Sequence, residues 1–490
     1  MATTQISPAV REKYEPVIGL EVHVQLLTKT KIFCGCSTQF GAPPNTNVCS
    51  VCLGLPGALP VLNKQVVEFA VLAAQALGCQ VRETSIFARK NYFYPDLPKG
   101  YQISQYDKPL AEHGKIDIKV GDGPAKTIGI TRLHVEEDAG KSLHEGFRDS
   151  ASNTYIDLNR SGVPLIEIVS EPDMRSPDEA YEYLTRLKEI ILYTGVSDCN
   201  MEEGSLRCDA NVSVRPRGQE KFGTRTEVKN VNSFRFIREA LEYEIARHIE
   251  VIEDGGTIQQ ETRLYNSSEG RTYGMRSKEQ AHDYRYFPEP DLLPLIVDSR
   301  WQEAGRKTLP ELPEARRARM VSEYGITQQD AQVLTASRML ADQFEEAAKA
   351  AKSPKRVANL VQSELMGRLK AKGLEIGASP ISMKGVAVSA DLVEAGAISS
   401  KILKDLYDKA FASGEDFPAV YEREKPQQIT DVAAIEAIID EVIAASPKQV
   451  EQYRSGKITV MGFFVGQVMK ASKGQAKPEL VNELLKNKLG

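Results

Sequence analysis

Two rhythms of apolar and polar positions divide the chain. Up to about residue 290 the pattern is mostly short and alternating. Val17-Ile18-Gly19-Leu20-Glu21-Val22-His23-Val24-Gln25 reads as a strand, 128–135 resembles it, and Gly121-Asp122-Gly123 reads as a turn between strands. Helical spacing interrupts this in two places. Residues 64–77 carry apolar side chains at Val67, Phe69, Ala70, Leu72 and Ala73, and 176–193 opens Ser-Pro-Asp-Glu, with Pro177 suited to the first helical position. The Pro-rich run from Tyr286 to Pro294 marks a boundary near 295. Beyond it the period becomes helical, over 311–323, 328–335, 339–351, 355–370 and 390–396. A second break, Tyr421-Glu-Arg-Glu-Lys-Pro, precedes further helices at 430–445, 447–455, 459–471 and 478–489. The expectation is an α+β protein in three parts. A large mixed α/β domain spans 1–295, an all-α domain 296–425 and a small all-α tail 426–490.

The 490 residues are 41% hydrophobic and 26% charged, a balance that buries large cores and excludes a disordered chain. No apolar run approaches the roughly 18 residues of a spanning helix, and the start lacks an apolar signal core, so a cytoplasmic protein without a membrane partner is expected. Net charge is −5, which excludes a general polycation. Between 446 and 490, however, eight basic side chains face three acidic ones. That asymmetry suits a polyanionic partner, although a solvated helix face accounts for it equally well on charge alone.

Seven cysteines, an odd number, argue against a disulfide framework in such a chain. Four cluster as Cys34-Gly-Cys36 and Cys49-Ser-Val-Cys52, separated by a stretch that includes Gly41, Pro43 and Pro44. Two close thiol pairs on loop tips suit a tetrahedral zinc site. Four protein ligands leave no place for substrate, so the expected role is structural, against the alternative of free or redox-active thiols.

Glu21 and His23 project from one face if their segment is a strand, and could share a cation or simply line a polar face. Acidic groups at Glu136-Glu137-Asp138 and at Glu167 strengthen the first reading. Glu167 stands among Leu165, Ile166, Ile168 and Val169, where a carboxylate is costly to bury unless paired or metal-bound. Hard oxygen ligands of this kind suit Mg²⁺. Gly140-Lys141-Ser142 ends like a phosphate-cradling loop, but the pattern needs glycine at 135, where the chain has Val135. Gly121-Asp-Gly123 lacks the third glycine of a dinucleotide fingerprint. The segment from Arg89 to Tyr101, with its cations, aromatic rings and Pro/Gly turn, reads as a nucleotide cover or as a packed aromatic loop.

Several of these segments together resemble one family. They are Val17 to His23, Arg89 to Asp96, Tyr101 to Gln105, Leu133 to Ser142, Asp157 to Arg160, Ile166 to Asp173, Met201 to Asn211, Asp283 to Asp291 and Gly462 to Gly474. The likeness is to the B subunits of the aspartyl/glutamyl-tRNA amidotransferases, over essentially the whole chain. It implies a cradle domain, a helical domain and a helical tail that contacts tRNA. It implies a heterotrimer with an amidase A subunit and a small C subunit. ATP and Mg²⁺ would serve to phosphorylate the side chain of misacylated Glu-tRNA(Gln) or Asp-tRNA(Asn), and ammonia from the amidase would complete the amide. Carried onto this sequence, the catalytic and Mg²⁺ positions fall on His23, Glu137 and Glu167, with Glu21 a further ligand. ATP-proximal positions fall on Lys90, Tyr92 and Lys99, and tRNA-binding positions on Lys470, Lys473 and Lys477. Strand alternation instead puts Glu136 beside His134, so the carry-over of Glu137 requires a bulge near 134–138.

Two rival readings differ in kind. A zinc-stapled tRNA-binding scaffold would need no converging acids. A self-sufficient amidotransferase would need a glutaminase centre, and neither a Cys/His pair nor a Ser-rich amidase signature is evident.

Overall fold

The computed structural model describes residues 6–275, 284–425, 432–472, 476 and 478–490. The chain divides into two compact units, Met1–Leu312 and Pro313–Gly490.

The first unit is built on a nine-stranded sheet. Its strands are β1 (Tyr14–Gln25), β2 (Gln80–Val81), β5 (Ala111–Ile118), β6 (Lys126–Glu137), β7 (Pro164–Ser170), β8 (Leu206–Pro216), β9 (Thr226–Lys229), β10 (Glu261–Asn266) and β11 (Arg271–Gly274). A separate pair, β3 (Phe87–Asn91) and β4 (Tyr101–Gln105), lies between β2 and β5 in the chain. The sheet order is β11-β10-β9-β8-β1-β7-β6-β5-β2. Neighbours are antiparallel except β9 and β10, which a long helix, Phe234–Glu253, connects. A helix is expected there because parallel neighbours cannot be joined by a hairpin.

Alternation gives the sheet two unlike faces. Val22 and Val24 of β1, Leu133 and Val135 of β6, Ile166 and Ile168 of β7, and Leu206, Cys208 and Ala210 of β8 are buried in one core with the helices Lys64–Ala76, Pro177–Thr194 and Phe234–Glu253. Residues between them face the other way. Both expected helices form close to their expected limits, and Ser176 caps the second by accepting from the Glu179 amide. The first unit runs past 295. Leu295–Ile296 pairs with Thr84–Ser85, and the helix Ser299–Thr308 is tied to the helix Lys64–Ala76 by Gln75, which donates 2.7 Å to the Gln302 carbonyl.

The second unit is helical throughout its described residues, with two hydrophobic clusters, one between Met320 and Val420 and one between Ile435 and Leu489. The helix expected to start at 390 begins at Met383, where Ser382 caps it by accepting from Gly385. The segment 355–370 is interrupted by a π turn at Val361–Leu365. The fold is therefore α+β, a mixed sheet unit followed by helices.

Candidate functional site

The polar face of the sheet is organised by register. His23 of β1 stands opposite Glu167 of β7 and Arg207 of β8, and Glu167 stands opposite His134 of β6, so four functional side chains form one row across four adjacent strands. Two positions along, Leu165 pairs with both Gln25 and Glu136. The His23 Nε2 lies 3.5 Å from Glu167 Oε2 and 3.6 Å from Glu136 Oε1. His134 Nε2 approaches the same two carboxylates at 3.3 and 3.6 Å. One donor atom from each of His23, Glu136 and Glu167 can face a common point. Two carboxylate oxygens and an imidazole at such separations fit three adjacent positions around a hard divalent ion, for which neighbouring donors stand about 3 Å apart at bond lengths near 2.1 Å.

Electrostatics tie the group together. Burial opposes charge on His23, but its hydrogen bond to Glu167 and the nearby Glu136 raise its pKa. His134 is pushed up to about 9 by Glu167 and Glu136 against the same burial penalty, which keeps it an imidazolium at neutral pH. Glu167, though buried, is held well below the ordinary carboxylate range by His134 and His23. Glu21, by contrast, is raised by burial and by the like charges of Glu167, Glu227 and Asp209. It accepts from Asn211 Nδ2 at 3.1 Å rather than joining the three-residue group.

Glu137, expected as a ligand, is placed elsewhere. The pairing from Pro164↔Glu137 to Glu167↔His134 is unbroken, and the register shift in this pair of strands lies at Val169/Ser170. Without a bulge at 134–138, Glu136 shares the face of His134 and Glu137 points away. There it accepts from the Ile103 amide at 2.8 Å and pairs with Lys99, whose ammonium is thereby engaged.

Lys90, on β3, lies 4.7 Å from the Tyr284 ring centre and 5.9 Å from that of Tyr92. Burial works against its charge, and Glu136 and Glu167 outweigh it. Burial raises the Tyr92 hydroxyl well above its ordinary value. The Arg89–Tyr101 segment thus carries one cation against the carboxylate group, among packed aromatic rings.

Sequence reasoning missed Arg207 and Asp138. Arg207 Nη2 donates 3.0 Å to Asp138 Oδ1, and Gln25 donates 2.9 Å to the other oxygen. The signal was present in Leu206-Arg-Cys-Asp-Ala-Asn211, whose alternation puts Arg207, Asp209 and Asn211 on the face of Glu21 and His23. A cavity of about 440 Å³ opens on the side of Glu21 away from Glu136, lined among others by Gly19, Asn211, Phe222, Gly223 and Arg225. Gly223 is required there, since a Cβ would meet the Val214 carbonyl oxygen at 2.2 Å.

The cysteine loop forms a second, separate constellation. Cys52 Sγ lies 3.6, 3.8 and 3.9 Å from the sulfurs of Cys34, Cys49 and Cys36. Zn–S bonds of about 2.3 Å in a tetrahedron set the sulfurs about 3.8 Å apart, so the four side chains fit a zinc ion as they stand. All four are free thiols. The hydrogen bond from Cys34 and the Lys31 charge lower the Cys52 thiol. A short helix, Ser50–Leu53, starts at Cys49 and ends at Gly54 with φ +64°, which turns the chain sharply after the last ligand.

Of the tail lysines, Lys470 is exposed on the helix Met461–Ala471, while Lys473 and Lys477 lie outside the described residues. No helix among the described residues is long and apolar enough to cross a membrane.

Comparison with known proteins agrees with this geometry. Residues 16–303 match the family described as "GatB/GatE catalytic domain", and 342–489 match "GatB domain". The chain is 58% identical over 477 residues to the B subunit of the aspartyl/glutamyl-tRNA(Asn/Gln) amidotransferase of Carboxydothermus hydrogenoformans, covering 97% of this chain and 99% of that protein. The proteins of the same name from Syntrophotalea carbinolica and Solidesulfovibrio magneticus are 57% and 55% identical, covering 97% and 98% of this chain and 99% and 100% of theirs. With both segments and the full length matched, the chain belongs to the GatB family, the B subunits of the tRNA-dependent aspartyl/glutamyl amidotransferases.

Proposed function

We propose that the polar face of the sheet activates the side-chain carboxylate of Glu-tRNA(Gln) and Asp-tRNA(Asn) with ATP and converts it to the amide. The observation that carries this reading is the convergence of His23, Glu136 and Glu167 between two cations, Lys90 and Arg207. A carboxylate resists ammonia because oxide is a very poor leaving group. Attack of the carboxylate oxygen on the γ-phosphorus releases ADP, and attack of ammonia on the acyl phosphate then releases phosphate. Mg²⁺ held by His23, Glu136 and Glu167 would supply charge neutralisation on the transferred phosphoryl group.

The chain's own residues do the rest. Lys90 faces the Glu136 end of the row, where its ammonium can meet phosphoryl oxygens with Tyr92 beside it. Lys99, expected near ATP, would act through Glu137 instead. The cavity beyond Glu21 has the size and the bare glycine backbone to take the nucleoside, with Phe222 and Arg225 at its wall. Arg207, braced by Asp138, stands over His23 on the opposite side from β7. The four cysteines would hold a structural zinc, and lysines of the tail, Lys470 with Lys473 and Lys477, would pair with tRNA phosphates. The functional division follows the sequence, with catalysis in 1–295, a helical domain in 296–425 and tRNA contact in 426–490.

Ammonia would come from an amidase A subunit assembled with a small C subunit, as the naming of the relatives suggests. The test uses that assembled complex with free ammonia supplied, comparing Glu-tRNA-dependent ATP cleavage and amidation in wild type and His23→Ala. Loss of both activities with tRNA binding retained supports the reading. Unchanged ATP cleavage would instead favour a zinc-stapled tRNA scaffold.

A further inference from the structure

Lys31 is the only buried lysine among the described residues, with no exposed surface. Its ammonium donates 2.7 Å to the Asn47 carbonyl, 3.3 Å to the Leu158 carbonyl and 3.4 Å to Cys52 Sγ. Two carbonyls solvate a cation but do not neutralise it, and no carboxylate of the described residues pairs with it. Glu137, on the far side of Gly162, is committed to Lys99. A buried charge without an opposite charge is strongly disfavoured. The available partner is the sulfur of Cys52, the cysteine whose sulfur approaches all three others. Four thiolates around one divalent ion leave two net negative charges, so the two deficits match.

We propose that Lys31 is the internal counter-cation of the four-cysteine metal site. It keeps Cys52 a thiolate and offsets half of the remaining charge of the site. Through Asn47 and Leu158 it also fastens that charge to the two loops around it. Asn47 closes the segment between the cysteine pairs, and its amide is held by Asn159 at 2.8 Å. Leu158 lies in the chain leading to β7, next to Arg160, whose Nη2 donates 2.6 Å to the Gly140 carbonyl. Metal occupancy is thereby linked to the ordering of 156–162, the segment that precedes the strand carrying Glu167. The inference rests on the reading of the four cysteines as a metal centre.

The test uses the full-length chain. Zinc content of the wild type, by elemental mass spectrometry, checks the metal reading itself, and a wild type that never takes up zinc overturns that reading. With zinc bound, Lys31→Met is expected to pass it to a chromophoric chelator about 10- to 100-fold faster than wild type, the usual effect of removing a partner of a metal ligand. An unchanged transfer rate overturns the counter-cation role while leaving the metal site standing. Should Lys31→Met not fold, hydrogen exchange of the wild type before and after chelation decides. Faster exchange at both 45–49 and 156–162 on zinc removal supports the proposal, and unchanged protection at 156–162 overturns it.

Discussion

The cysteine loop and the polar face of the sheet both bring metal-ligating side chains together, yet they are built by opposite means. Cys34, Cys36, Cys49 and Cys52 lie within one short stretch of chain, so local turns are enough to gather them. His23, Glu136 and Glu167 come from three strands far apart in sequence and meet only because β1, β7 and β6 pair in one register. The loop closes with four ligands and leaves nothing for a substrate. The sheet face offers three protein ligands and keeps open positions, cations and a cavity beside them. The difference shows that a closed local site serves structure, whereas a long-range site of few ligands can serve chemistry.

The largest effect should come from breaking the sheet cluster. His23→Ala or Glu167→Gln should lower tRNA-dependent ATP cleavage by about a hundred- to a thousandfold, the scale of losing one preorganised electrostatic group, with tRNA binding intact in a filter or gel-shift assay. A sharper version compares neighbours. Glu136→Gln should abolish binding of Mn²⁺ as a spectroscopic probe, while Glu137→Gln should leave Mn²⁺ affinity nearly unchanged, because Glu137 faces Lys99. Equal losses for the two variants would refute the placement of Glu136.

Breaking the loop should act on stability instead. Cys34→Ser should release zinc, measured by metal analysis, and lower the thermal midpoint of the first unit. If it lowered ATP cleavage as far as His23→Ala does, in protein still folded, the contrast between the two regions would fail.

A third polar cluster supplies the control with no ion at all. Glu244 is fully buried, and Arg247 and Arg263 donate to it at distances from 2.7 to 3.1 Å. Burial raises its pKa, but hydrogen bonds from His248, Arg247 and Thr272 outweigh that and bring it down to about 2. A carboxylate whose folded pKa is depressed stabilises the protein above its unfolded value near 4.5, and that stability drains away as pH falls toward 2. Acid unfolding followed by circular dichroism should therefore be shallower in this range for Glu244→Gln, which starts from a lower stability at neutral pH, by about 3 kcal/mol. Chelators should not change that difference.

How much of this was legible depends on the range of the interactions. Alternation in 17–25 and 128–135 marked two central strands and, with Glu21 and His23, one polar face. Helical spacing and a Ser-Pro start marked 177–194 nearly to the residue. The same alternation correctly paired Glu136 with His134, and the family carry-over moved the assignment one residue off. One residue of slip in a strand reverses the face, which is why so small a difference changes the ligand set. The helix Phe234–Glu253 went unmarked, although it is the crossover that the parallel pair of β9 and β10 requires. Arg207 was visible in an alternating run but had no reason to be chosen until β8 was seen beside β1.

The amino-acid sequence by itself determined the division into a mixed part and a helical part, the four-cysteine loop and the family, because these rest on local periodicity, short spacing and motifs. Only the tertiary structure decided that Glu136 rather than Glu137 stands with His23 and Glu167, that Arg207 and Lys90 flank them, and that Lys31 is buried against Cys52. Those are properties of strand register and burial, and they arise between residues more than a hundred positions apart or from a fold that removes water from a charge.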